Sequence, residues 1–170
     1  MINDNKTKKI SFYGLCLALG LVLSYAEAVI PINIGIPGAK LGLPNIVTVL
    51  LMYSAGNAAA FTIGLLRIVL SGFMFGNLFA IAYSAAGLCA SFAVMALLKK
   101  SGAFGMIGVS TAGGVMHNIG QIAIAVLLTN GSVLSYLPVL LAAGIIAGIV
   151  IGILSGILNK RLSVFLKKLS

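Results

Sequence analysis

Long apolar stretches, each close to the length of a membrane-crossing helix and each bounded by charge, glycine or proline, dominate this sequence. A helix needs roughly 20 predominantly apolar residues to cross a bilayer core, and lipid leaves no water to satisfy open backbone, so such stretches dictate α-helices. With 61% of its residues hydrophobic and 8% charged, the chain carries more apolar surface than a soluble core of this length buries. One integral membrane domain is enough for 170 residues.

The punctuation divides the chain into six segments, at residues 10–30, 43–54, 57–71, 77–98, 104–129 and 133–158. The second and third are short for independent spans. A tightly joined pair, a locally thinned bilayer and a re-entrant hairpin are all open to them. Orientation follows from the basic residues. Lys6, Lys8 and Lys9 precede the first segment, Lys99 and Lys100 divide the chain, and Lys160, Arg161, Lys167 and Lys168 follow the last. Six crossings from a cytoplasmic N-terminus put all of these inside and leave Lys40 as the basic residue of the outer loops, in keeping with the positive-inside rule. The expected fold is therefore an all-α polytopic membrane protein of six transmembrane helices with cytoplasmic N- and C-termini. The formal net charge of +9 is read as topology and not as a nucleic-acid footprint. The basic N-terminus has the charge of a signal peptide, but the run behind it is longer than an ordinary h-region and has no clear small-residue cleavage site, so it is read as a mature helix.

Several chemistries are excluded by residue type. No GxxxxGK[ST] loop is present to cradle a nucleotide, so ATP-driven work needs another subunit. Asp4 and Glu27 are the two acidic residues and His117 the one histidine. Paired carboxylates, an acidic magnesium site on a diphosphate and a histidine metal cluster therefore cannot be assembled. Cys16 and Cys89 lie within apolar segments without CxxC spacing, which predicts buried, inert thiols and neither a disulfide framework nor a zinc site. The chain is expected to be no enzyme and to hold no metal or cofactor.

An ionisable residue at membrane depth is costly and marks a functional position where it faces protein or water. Arg67 lies about 15 Å into the third segment and His117 about 20 Å into the fifth, at ~1.5 Å per residue, while Glu27 is near the outer end of the first. Gln121 is one turn beyond His117 on the same face, Asn118 is adjacent, Asn45 opens the second segment behind Pro44, and Lys40 hangs from the loop before it. Together they can line an outward-facing pocket with a positive bias, suited to a polar or anionic ligand. The alternatives are an Arg67–Glu27 structural ion pair, helix-to-helix hydrogen bonds from His117, Asn118 and Gln121, and an interfacial anchor role for Lys40. Glycines at 144, 148, 152 and 156 form one smooth stripe on the last segment, and Cys16, Gly20, Ser24 and Ala28 form another on the first, with Gly14 and Ala18 beside it. Such stripes let a second backbone approach, from within the chain or from a partner.

The stretches PGAKLGLPNIVTVLLMY and GLLRIVLSGF closely resemble those of the Gx transporter family, also labelled heptaprenyl diphosphate synthase component I. That family is similar in turn to the S components of energy-coupling-factor transporters, six-helix proteins of the bacterial cell membrane that capture micronutrients. The resemblance implies an S-component-like bundle in which residues 31–43 cap an outward pocket, with Lys40 and Asn45 at the hinge. It also implies a docking face on the first helix, at Gly14 with Ala18 or at Cys16 with Gly20, for a transmembrane T component carrying two ATPases. The leading expectation is a multi-pass, substrate-binding subunit for a small polar or anionic micronutrient, contacted by Lys40, Asn45, Arg67, His117, Asn118 and Gln121. The alternative is an accessory membrane subunit of an isoprenoid, quinone or electron-transfer enzyme, because the chain lacks the acidic motifs of a prenyltransferase. A stand-alone secondary transporter is a third reading.

Overall fold

The computed structural model describes residues 4–29, 42–129 and 132–169. They form helices α1 (Asp4–Val29), α2 (Asn45–Ser54), α3 (Asn57–Phe75), α4 (Leu78–Ser101), α5 (Met106–Thr129) and α6 (Leu137–Leu169), with a 3-10 turn at Ser132–Tyr136 leading into α6. No strand occurs among the described residues. By length and composition, residues 6–29, 57–75, 78–101 and 133–163 can each cross a membrane, so the chain is an all-α, multi-pass type of protein. At 24 residues α5 is as long as α4, but His117, Asn118 and Gln121 interrupt its apolar run.

Local chemistry fixes the boundaries. The third helix continues to Phe75 where the apolar run suggested an end at residue 71, because Gly72 lies inside the helix and its missing Cβ accommodates Ile81 of α4. Asn77 then caps α4, its side chain accepting the Ala80 N–H at 2.8 Å, and Gly102 closes the same helix with φ of +68°, a conformation that costs glycine little. α1 begins at Asp4 and α6 continues to Leu169, so the flanking basic residues ride on the helices themselves.

α2 spans only about 15 Å at ~1.5 Å per residue, half a bilayer core, and its burial compensates for that length. Ile46 through Met52 are all buried, and Leu51 and Met52 are fully enclosed. α3 packs along one side of α2 and α6 along another, with Ser155 of α6 donating to the Ile46 carbonyl at 3.3 Å. At the end of α2 Lys99 donates to the Met52 carbonyl while its ammonium lies 4.9 Å from the Tyr53 ring centroid. Lys99 thus couples the end of α4 to the end of α2 through a charge-assisted hydrogen bond and a cation–π contact.

α4, α5 and α6 form the most intimate part of the bundle. The glycine stripe of α6 lies against α5: a Cβ on Gly148 would fall 2.6 Å from the Thr111 Cα, and one on Gly144 would fall 2.8 Å from the Gly114 carbonyl oxygen. This is internal packing, backbone against backbone. α1, by contrast, packs on α3 and to a smaller extent α2, leaving a broad apolar face bare, with Leu15 69% and Val22 62% exposed. Of the two cysteines only Cys16 is buried. Cys89 is exposed, because it falls on the outer face of α4.

Candidate functional site

Five of the six helices converge on a cavity of about 80 Å³ at the end of the bundle where α1 finishes and α2 begins. α1 contributes Ser24, Glu27 and Ala28, α2 contributes Asn45 behind Pro44, and α3 contributes Arg67, Ile68, Ser71 and Phe75. Ser84 comes from α4, and His117 and Gln121 from α5.

Arg67 is the focal residue. Only 8% exposed, it is held by Nη1 donating to Ser24 Oγ at 3.1 Å, and Ser24 in turn donates to the Gly20 carbonyl at 2.9 Å. Its stem fits because position 20 is glycine, where a Cβ would stand 3.1 Å from the Arg67 Cδ. The Nε donor of the same guanidinium is buried with no hydrogen-bond partner among the described residues. An unmet charged donor in such a place is expensive.

On the opposite wall, His117 occupies a recess made by Gly87 of α4, where a Cβ would be 2.7 Å from the imidazole Cε1. Gln121, one turn further, is buried beside the same cavity. Glu27 accepts the backbone N–H of Gly42 and acts electrostatically on Arg67, so the described lining carries both signs of charge, while Lys40, part of the positive bias expected from the sequence, lies outside the described residues. Phe75 and Ile68 give the cavity an apolar side. Among the described residues no group of three His, Cys, Asp or Glu side chains gathers.

Of the ligand contacts expected from the sequence, Asn45, Arg67, His117 and Gln121 are brought together here, and Lys40 lies outside the described residues. Asn118 is a correction. Its amide donates to the Leu140 carbonyl and lies beside Gly144, joining α5 to α6 away from the cavity, because adjacent residues on a helix point about 100° apart. The α1 positions also separate. Cys16 and Gly20 are buried, Gly20 against Arg67, and so are inaccessible to a docking partner, whereas Gly14 and Ala18 are exposed and a Cβ on Gly14 would touch nothing within 4 Å. Ser24, Ser71 and Ser84 were not expected in the lining. For Ser24, the i+4 series with Cys16 and Gly20 was the available sign.

No curated protein and no solved structure matches the chain. One family does: the description heptaprenyl diphosphate synthase component I matches residues 16–158, a range that begins within α1, ends within α6 and takes in every described residue lining the cavity. The chain is a member of the heptaprenyl diphosphate synthase component I family.

Proposed function

We propose that the chain is the substrate-capturing subunit of a membrane uptake system, binding a small polar solute in the cavity around Arg67 and relying on partner ATPases for energy. The observation that carries this reading is the Arg67 guanidinium, buried in the cavity wall with its Nε donor unmet. A structural arginine at this depth would be expected to be fully paired, whereas a binding arginine keeps a donor for its ligand. The chain has no phosphate-cradling loop of its own, so the proposal assigns the motor to two ATPases coupled through a transmembrane T component. Gly14 and Ala18, on the bare face of α1, are the positions that partner would touch. In this reading the protein crosses the bacterial cell membrane six times, both termini are cytoplasmic, the cavity faces outward and the chain performs no catalysis.

The family description favours a second reading, an accessory membrane subunit of an isoprenoid, quinone or electron-transfer enzyme. The cavity argues against a prenyl chain as occupant, since Arg67, Glu27, His117, Gln121 and Asn45 surround its space and hydrocarbon would leave them unsatisfied.

The two readings separate by purification in mild detergent and native mass spectrometry of the wild type, Arg67→Ala and Gln121→Ala. Capture predicts a small molecule retained by the wild type and lost from both variants, each still folded. A protein with no retained solute that co-purifies with a prenyl synthase subunit would establish the accessory role instead.

A further inference from the structure

α3 and α4 leave an open groove of about 520 Å³ at the end of α4 away from the Arg67 cavity, lined by Asn57, Ala93, Ala96, Leu97, Lys99 and Lys100. We propose that it binds one anionic glycerophospholipid, with the phosphate on Lys99 and Lys100 and an acyl chain along Ala93, Ala96 and Leu97. The site stands independently of the capture reading.

The shape of the groove comes from small residues. α3 and α4 meet through Phe61 and Phe92, whose rings make an edge contact with centroids 5.1 Å apart. Towards the end of α4 the lining side chains are Ala93 and Ala96, and the gap that they leave continues along Leu97, which is 68% exposed. Residues 78–101 are long and apolar enough to cross a membrane, so hydrocarbon surrounds this face and an acyl chain can fill the groove by dispersion contacts. The same span ends with Lys99 and Lys100 in its last turn, at the depth where lipid headgroups lie.

Charge complementarity selects the headgroup. Lys99 is held in place by the Met52 carbonyl and the Tyr53 ring, and an ammonium has three donors, so this anchoring is compatible with a phosphate oxygen as well. Lys100 is exposed beside it, and no acidic side chain is among the described residues lining the groove. Two acidic residues cannot neutralise the eleven basic ones of the whole chain, and an anionic headgroup supplies counter-charge. Basic pockets between membrane helices select such lipids, whereas a choline headgroup brings a cation of its own towards the lysines.

The test is native mass spectrometry of the delipidated full-length chain in detergent micelles, titrated with dioleoyl-phosphatidylglycerol or dioleoyl-phosphatidylcholine. The first phosphatidylglycerol is expected to bind roughly tenfold tighter than phosphatidylcholine, or more, the scale of two lysines facing an anionic lipid. Lys100→Gln should weaken it roughly fivefold. Ala93→Phe, at an exposed position, should block the groove and remove the preference with every charge retained. Lys160→Gln combined with Arg161→Gln, which removes two exposed charges from α6, should leave the preference unchanged. Equal binding of the two lipids would overturn the proposal. A preference that survives Ala93→Phe, or falls as much with the α6 pair as with Lys100→Gln, would also overturn it, showing diffuse attraction to a basic end. Displacement of the bound lipid by millimolar glycerol phosphate would overturn the acyl-chain part and leave a phosphate site alone.

Discussion

At the scale of single residues, the site depends on glycines as much as on the polar groups that line it. His117 reaches the cavity wall because Gly87 has no side chain, and the two belong to different helices. Gly87→Ala would place a methyl 2.7 Å from the His117 Cε1, and a ring packed between helices has little freedom to yield. We expect a loss of about 1–3 kcal/mol, the usual cost of overpacking, read as a lowered unfolding midpoint in detergent, together with weakened solute retention. An unchanged midpoint with unchanged retention would show that the imidazole moves freely and is no fixed part of the site. Arg67, His117, Gln121 and Asn45 were legible in the sequence because polar groups in apolar runs are conspicuous, and the cost of burying them demands a protein-facing position. Ser24, Ser71 and Ser84 were not, since serine inside a helix can satisfy itself on its own backbone, as Ser71 does on the Ile68 carbonyl, and so gives no sign of which way it faces. Asn118 misled for a related reason: its neighbour in sequence lines the cavity, but the helix turns it towards α6.

Among the helices, the same small-residue spacing has different meanings on α1 and α6. The α6 stripe is read correctly from its period as a close-packing face, and its partner is α5. Within that stripe the positions are not equivalent. Gly148→Ala would drive a methyl to 2.6 Å from the Thr111 Cα and 2.8 Å from the Ser110 carbonyl oxygen, backbone atoms that move only if the helices separate. At Gly156 the nearest heavy atom is the Met106 sulfur at 3.8 Å, an ordinary contact. We therefore expect Gly148→Ala to destabilise by about 1–3 kcal/mol and Gly156→Ala to be neutral or stabilising by up to about 1 kcal/mol from helix propensity. Thermal unfolding of the two variants side by side checks this, and equal effects would mean that α6 does not lie on α5 in this register. On α1 the period identified a face but not its partner. Gly20 and Ser24 turn out to serve Arg67 of α3, a pairing between segments more than 40 residues apart that local sequence cannot specify, while Cys16 joins the apolar core. The short run of α2 was equally ambiguous on length alone, and the encasing of residues 46–52 by neighbouring helices is what gives it a place in the bundle.

Over the whole molecule, charge and cavity are segregated. Glu27, near the end of α1, bonds to Gly42 just before α2, so the cavity lies at the end where α1 finishes. The opposite end of α2 receives Lys99 from the end of α4, and α6 descends antiparallel to α5, from Leu140 beside Asn118 to Gly156 beside Met106. Lys6, Lys8 and Lys9, Lys99 and Lys100, and Lys160 and Arg161 consequently share one end of the bundle, and the cavity occupies the other. The sequence made this segregation legible through the placing of its lysines, and the helix pairing supplies an independent route to it. The sidedness proposed above applies the positive-inside rule to this arrangement, with the basic ends in the cytoplasm and the cavity outward. With Cys16 and Cys89 replaced by alanine, single cysteines at Ser135, in the turn before α6, and at Ser101 and Lys160 test the arrangement, since all three positions are exposed. In intact cells a membrane-impermeant maleimide should label Ser135→Cys alone, with Ser101→Cys and Lys160→Cys reacting only after permeabilisation. The opposite pattern would turn the cavity to the cytoplasm and remove uptake from outside as its purpose. Labelling of Ser135→Cys and Ser101→Cys from the same side would mean that α5 does not cross, and that His117 and Gln121 reach the cavity from a re-entrant helix.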